Sequence, residues 1–422
     1  MDENTTILGS IWNRGKIYYK MPKITLFATS FVWSLIAIGV RGNFYNVSTW
    51  ENGMIASNII RGLGFSGTYL VGPPVEPTSV MAPFYPYFLA TVYTVFGLTP
   101  LAFITIQVIQ AIIQAFSVVL LFLIGRQIFN MQVGLFAGVG LALYPDYAYG
   151  VTVIHQLTFS TFITLLLIYS LVQLEDGYSI KNIVVSGTIL GVATLIIPAV
   201  LYFAPIIPLW LIGQTYLKRW SFSEALKMSC LITIVPLLIV APWTIRNYIV
   251  HDQFVLVKQV GWNFWRGNVP PAIHTGVPNE LSDAPSIVQK KVEQMPEAEA
   301  NKYLLNRALE YIIYHPRNFL IHFFKNIWYF WWFPPMEQKP AQSNIIRKLF
   351  YVPVLSMGVI GIIKSRRRWK KYTLFYGIFF SFSIGYSIFF IQPRYRTPTI
   401  QPFLILFAAF FAYRIIRKFK MV

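Results

Sequence analysis

The chain has 422 residues, of which 55% are hydrophobic and only 12% charged. A soluble protein of this size needs roughly 25% charged residues to coat its surface, so water is not the solvent for most of this one. The net charge is +19, from 35 Lys plus Arg against 16 Asp plus Glu. The basic residues sit at the ends of apolar runs, the positive-inside pattern of a membrane protein, and not on a soluble face that nucleic acid would bind. The single cysteine, Cys230, excludes an intrachain disulfide and a cysteine metal cluster.

Arg14, Lys16, Lys20 and Lys23 precede the first apolar run, and no small-residue cleavage site follows it. That run reads as a signal anchor with a cytoplasmic N-terminus. Apolar runs near the length that crosses a bilayer occupy 23–41, 100–125, 132–149, 152–173, 182–197, 199–216, 226–243, 346–363, 372–391 and 398–417. Basic clusters follow at Arg126, at Lys218 and Arg219, at 364–371, and at Arg414, Arg417, Lys418 and Lys420. With about 10 spans every such cluster falls in the cytoplasm, and so does the C-terminus.

Two further apolar stretches, 84–98 and 318–334, then lie on the membrane without crossing it. The second carries His322 and Lys325 and is dense in Trp and Tyr, as interfacial helices are. The expected fold is an all-α polytopic bundle in three parts. An N-terminal membrane module, 1–243, carries a first outer loop at 42–99; an extracytoplasmic loop fills 244–345; C-terminal membrane helices fill 346–422. Within the second outer loop, Leu304, Leu305, Ala308, Leu309 and Ile312 recur at helical spacing.

Acids are scarce enough to audit. Outside and near the membrane lie Glu51, Glu76, Asp146, Asp252 and Glu337, whereas 279–312 holds acids that read as solvated surface. Glu51 opens the helix WENGMIASNII, where a carboxylate also suits the helix dipole. Asp146 follows Pro145 in LYPDYAYG. Together they are the candidates for base catalysis or for a divalent cation, Mg or Mn. For phosphate the candidates are Arg246 in PWTIRNY and Arg394 and Arg396 in QPRYRTP, since a guanidinium fork matches phosphate oxygens. Asn58, Asn247, Arg266 and Asn268 are candidates for acceptor or loop contacts. His155, an ionisable group early in a span, joins them. No nucleotide-binding fingerprint is present. An enzyme working outside would need a pre-activated, membrane-anchored donor.

The motifs ENGMIASNIIRGLGFS, PTSVMAPFYPYFLATVYTVFG, LYP, VAPWTIRNYIVHDQFVLVKQVGWNFWRGN, EYIIYHPRNF and RYRTPTIQPFLILFAA occur in that order. This order resembles the GT-C glycosyltransferases, in the branch of the dolichyl-phosphate-mannose protein mannosyltransferases and the lipid A aminoarabinose transferases. The resemblance implies a bundle with juxtamembrane helices in the first outer loop. It implies a sugar donor on polyprenyl or dolichyl phosphate, inversion at the anomeric carbon, and a key acid matching Glu51. Asp146 could supply a second carboxylate, and some relatives use a divalent metal. The acceptor is a glycan, lipid or protein at the extracytoplasmic face of the cell membrane. The rival is a lipid or glycan transporter or flippase, which would bury ionisable groups near the bilayer midplane. The spans hold almost none.

Overall fold

The computed structural model describes residues 3–419 apart from 46, 69–74, 178, 218 and 335–340. Glu337, Lys218 and Lys420 lie outside the described residues. The chain opens with α1 (Glu3–Arg41) and α2 (Trp50–Ile60), then two short paired strands, β1 (Ser66–Gly67) and β2 (Glu76–Pro77). Next come α3 (Phe84–Phe96), α4 (Pro100–Ile128), α5 (Met131–Leu143), α6 (Pro145–Val151) and α7 (Leu157–Gln173). They are followed by α8 (Ile180–Ile196), α9 (Ile206–Gly213) and α10 (Phe222–His251). The second outer segment holds α11 (Val260–Asn268), α12 (Ala272–Thr275), α13 (Ser286–Glu293), α14 (Glu297–Tyr314) and α15 (Pro316–Trp331). The chain ends with α16 (Ala341–Ser365), α17 (Thr373–Ser387) and α18 (Gln401–Phe419).

Helices dominate because lipid offers backbone groups no partner, so each segment must satisfy its own. By length and composition Met21–Arg41, α4, α10 and the stretch Ile345–Ser387 can cross a bilayer. The last is two helices, broken near Arg368, where φ is −117° and ψ 31°. Shorter apolar helices, α5, α7, α8 and Ile206–Leu217, fall on four more of the predicted spans, and α18 falls on the last, 398–417. The predicted span 132–149 is two helices, broken where Tyr144 is extended ahead of Pro145. With 13 residues α3 is about 20 Å long, short of a ~30 Å hydrocarbon core. Along α15, Leu320, Phe324 and Trp328 are exposed on one face while His322, Asn326 and Phe330 are buried on the other.

Neighbouring membrane helices close on small residues. In α8 a Cβ on Gly191 would stand 2.6 Å from Ile239 Cβ, and one on Gly187 2.9 Å from Val235 Cβ, both on α10. The bundle has two distinct ends. At one, Arg219 pairs with Glu175 at 3.0 Å, Lys371 lies in their field, and Phe129 stacks on Tyr372 and Phe410. From there α7 and α17 run in opposite chain directions to the other end, where 155–157 and 387–395 lie. That second end carries the outer segments.

The ends of helices there are pinned by buried polar side chains. Arg246 Nη1 donates to the Thr78 carbonyl at 2.7 Å, and Nη2 to the Phe65 carbonyl at 2.9 Å. Asn247 donates to the Val255 carbonyl at 2.8 Å and accepts from Ser79 Oγ at 2.8 Å. Glu297, in the first turn of α14, accepts from Thr78 Oγ1 and from the Ser79 amide at 3.1 Å. The first outer loop, the end of α10 and the second outer segment are thereby one unit. Beneath them a small core of Trp262, Trp265, Val288, Val292, Ala300, Leu304 and Ala308 holds α11, α13 and α14 together.

Lys258 is fully buried beside this clasp, and its Nζ has no hydrogen-bond partner. Burial pulls its pKa down to about 8, against the attraction of Glu297. Glu297 itself is pushed up by burial.

Two expectations follow. Gly191→Leu forces α8 off α10 and should lower the thermal midpoint in detergent, at a cost of about 1–3 kcal/mol; an unchanged midpoint would remove this crossing from the account. Lys258 binds its proton more weakly folded than unfolded, so its contribution to stability rises with pH between about 8 and the ordinary lysine value. Lys258→Met should flatten that rise in a melting series across the window, with the parent chain as reference.

Candidate functional site

At the second end of the bundle a cavity of about 1230 Å³ opens between the segments 42–99 and 244–345 and the ends of the bundle helices. Its volume exceeds the roughly 300–1,000 Å³ of an ordinary small-molecule pocket. Glu51, His155, Gln156, Arg266, Glu280 and Arg394 supply its ionisable and polar lining. The lining alternates between helix ends and irregular backbone, and each irregular piece is held from behind.

Glu51 reaches the cavity from the first turn of α2. The preceding Trp50 takes a left-handed backbone, φ +48°, which a bulky side chain rarely adopts. Its ring meets the edge of His155 at 5.9 Å and 82°. Asn52, buried, donates to Gln156 Oε1 at 2.9 Å and ties α2 to the break between α6 and α7. In that break the Val151 and Val153 carbonyls, at 3.0 and 2.9 Å, accept from Gln110 of α4. Gln107 reaches the Asn43 carbonyl at 2.9 Å from the same helix. Unwound backbone at this depth is tolerated because protein groups replace the missing water. It delivers His155 and Gln156 to the cavity. The Glu51 side chain is exposed and makes no hydrogen bond or ion pair among the described residues.

Across the cavity, 387–395 carries Arg394. Asn326 of α15 donates to the Ser387 and Phe389 carbonyls at 3.2 and 3.1 Å, and Asn268 of α11 donates to the Ile388 carbonyl at 2.9 Å. Tyr395 stacks on Tyr386 at 4.6 Å and 10°. Burial pushes the Tyr395 hydroxyl up, while Arg394 and then Arg266 pull it down. The two guanidinium groups therefore flank one phenol. Arg394 is solvent-exposed and in no ion pair among the described residues. Arg266 is steadied over Trp262 and Phe390, donates to the Asn279 carbonyl at 2.8 Å, and pairs with Glu280.

The helix bearing Arg266 is clamped by two glycines. A Cβ on Gly261 would lie 2.0 Å from the Asn301 carbonyl oxygen, and one on Gly267 2.2 Å from that of Phe389. No other residue permits that approach on both sides of α11.

The candidates taken from the sequence divide by location. Glu51, His155, Arg266 and Arg394 share the cavity. Arg246, Asn247, Asn58 and Asn268 stand behind its walls; Asn58 donates to the Ser66 carbonyl at 3.0 Å. Arg396 is buried, bonded to the Trp332 carbonyl and packed 4.1 Å over Tyr351. Asp146 opens α6 next to Tyr144 and Tyr147 and does not line the cavity. Glu76 sits in β2 and Asp252 caps α10 with φ +53°, both exposed and outside the lining. Of the acids read as solvated, Glu280 is exposed and also lines the cavity, whereas Glu297 is a buried clasp. Only the place of Glu297 in a first helical turn hinted at its role. Among the described residues no three His, Cys, Asp or Glu side chains gather to hold one ion. Of the two carboxylates read as candidates for a divalent cation, Glu51 is in the lining and Asp146 is not.

Residues 79–245 match the family model described as dolichyl-phosphate-mannose-protein mannosyltransferase. No curated protein matches the sequence. Among solved structures the chain is similar to the Archaeoglobus fulgidus oligosaccharyltransferase tethered with an acceptor peptide containing the NVT sequon. That TM-score is 0.60 at 12% identity, over 94% of this chain and 50% of that one. The archaeal oligosaccharyltransferase AglB from the same organism, in complex with an inhibitory peptide and a dolichol-phosphate, gives 0.58 at 12% identity over 96% and 51%. ArnT from Cupriavidus metallidurans bound to undecaprenyl phosphate gives 0.42 at 12% over 89% and 77%. The chain spans about half the length of the oligosaccharyltransferase structures it matches. What it shares with the oligosaccharyltransferase structures is the fold, the arrangement of membrane helices and the segments between them, and within that fold residues 79–245 match the mannosyltransferase family model.

Proposed function

We propose that this protein is an inverting glycosyltransferase that moves a sugar from a polyprenyl- or dolichyl-phosphate donor to an acceptor on the extracytoplasmic face of the cell membrane. One observation carries the reading: a carboxylate, Glu51, and a guanidinium, Arg394, neither of them in an ion pair among the described residues, line the same cavity. The AglB neighbour holds a dolichol-phosphate and the ArnT neighbour an undecaprenyl phosphate, which supports a lipid-phosphate donor here. The basic turns at the opposite end of the bundle support cytoplasmic termini and an outward-facing cavity.

In this reading the donor phosphate lies against Arg394, with Arg266 as the second cation across Tyr395. Of the three arginines first considered for phosphate, Arg394 has donors to give; Arg246 and Arg396 spend theirs on carbonyls. Glu51 accepts the proton of an acceptor hydroxyl as its oxygen attacks the anomeric carbon. The bond from that carbon to the phosphate oxygen breaks on the opposite side, and its electron pair stays on the phosphate. The developing charge meets the two guanidinium groups in a site partly shielded from water. His155, between Trp50 and Arg394, orients the reacting groups.

Glu51→Gln should reduce transfer by about 100-fold or more while leaving folding and donor binding intact. The measurement is transfer of radiolabelled sugar in reconstituted vesicles, beside polyprenyl-phosphate binding; full transfer by a folded Glu51→Gln chain would end the base assignment. Arg394→Ala should weaken polyprenyl-phosphate binding by roughly tenfold or more. Unchanged affinity in that variant would send the phosphate elsewhere.

A further inference from the structure

One wall of the cavity has no task in the reaction just described. Gln259 and Asn263 stand one helical turn apart at the start of α11, joined by the Asn263 amide donating to the Gln259 carbonyl at 2.8 Å. Both side chains line the cavity, as does Gln392 from the 387–395 segment on which α11 packs. All three are half-buried, and none of their side-chain amides is hydrogen-bonded among the described residues. Every other amide named around this site (Asn52, Asn58, Asn247, Asn268, Asn326) is committed to a partner.

We propose that this wall is the acceptor subsite and that the acceptor is a carbohydrate chain, an assignment that rests on the transfer reading above. A carboxamide offers a donor and an acceptor side by side, which is what a sugar hydroxyl, itself both donor and acceptor, pairs with. Three neutral amides held on clamped backbone suit a neutral polyhydroxylated ligand better than a charged one. The half-exposed indole of Trp50 lies in the same lining next to Glu51 and gives a pyranose ring a flat apolar face. A peptide acceptor would be gripped through its backbone by a strand edge. Among the described residues the only strands, β1 and β2, are two residues each and pair with each other. The cavity is large enough for a donor headgroup at Arg394 and sugar rings along α11 together.

The test is saturation-transfer NMR on the full chain in detergent, with neutral di- and trisaccharides of glucose, galactose, mannose and N-acetylglucosamine at tens of millimolar. Short Ser/Thr peptides run in parallel. Saccharide ring protons should be saturated, and the apparent affinity should fall about tenfold in a Gln259→Ala/Asn263→Ala double variant. Each single variant, checked for an unchanged melting point, should show part of that loss. Peptide binding without saccharide binding, no saccharide binding at all, or saccharide binding that ignores both amides would overturn the subsite. Glu51→Gln separates the two readings. Loss of transfer with saccharides still bound supports both; full transfer with saccharides bound sinks the base and spares the subsite; loss of transfer with peptides bound instead sinks the subsite alone.

Discussion

Backbone in a membrane protein must find every partner within the protein, and the cavity of this chain exists because that demand is met from behind its walls. A reaction site needs loops, turns and helix ends, all of which leave carbonyls and amides unpaired. Here Gln107 and Gln110 serve the break before α7, Arg246 and Asn247 serve the segments at 65, 78 and 255–256, and Asn268 and Asn326 serve 387–389. Removing one such pin strands the carbonyls it serves, each at a cost of about 1–3 kcal/mol. The walls therefore stay put while ligands come and go. Preorganised charge is effective only when it need not be reoriented during the reaction.

The same demand explains how far the sequence could be read. The bundle was legible because apolar length and the placement of basic residues are one-dimensional signals. Each of the ten predicted spans falls on a helix or a pair of helices. The stretches 84–98 and 318–334 form helices of 13 and 16 residues, too short for a straight crossing. Breaks were less legible. Nothing in LALYPDYAYGVTVIHQ says that residues 152–156 are unwound, because the glutamines that make this affordable lie far away on α4.

Site residues were legible as a group and not one by one. A polar residue at the outer end of a span is either a pin or a reagent, and the two look alike in one dimension. Arg246 and Arg394 are both arginines beside a proline-bearing turn at the outer surface. Only the fold tells that the donors of Arg246 are consumed by Thr78 and Phe65 while Arg394 faces open space. One acid of the hydrophilic stretch misled in the other direction. Glu297 looks like solvated surface, yet it is buried where α14 meets the first outer loop, whereas Glu280 is exposed as read and also borders the cavity beside Arg266.

That buried acid carries a further consequence. Glu297 belongs to the one hydrophilic lobe of the chain, and through Thr78 and Ser79 it is joined to the backbone that continues into Val80, Met81 and Ala82 of the cavity wall. On the other side of Ser79, Lys258 and then Gln259 lead directly into α11. The wall at 80–82 and the wall that carries Gln259 and Asn263 are thus two sides of one clasp. Through Asn58 and the Ser66 carbonyl, and through Ile55 packed with Phe65 and Trp243, the helix that bears Glu51 joins the same clasp, so the carboxylate and the amide wall are held in one frame. Asn52 adds a second tie, from the helix of Glu51 to Gln156.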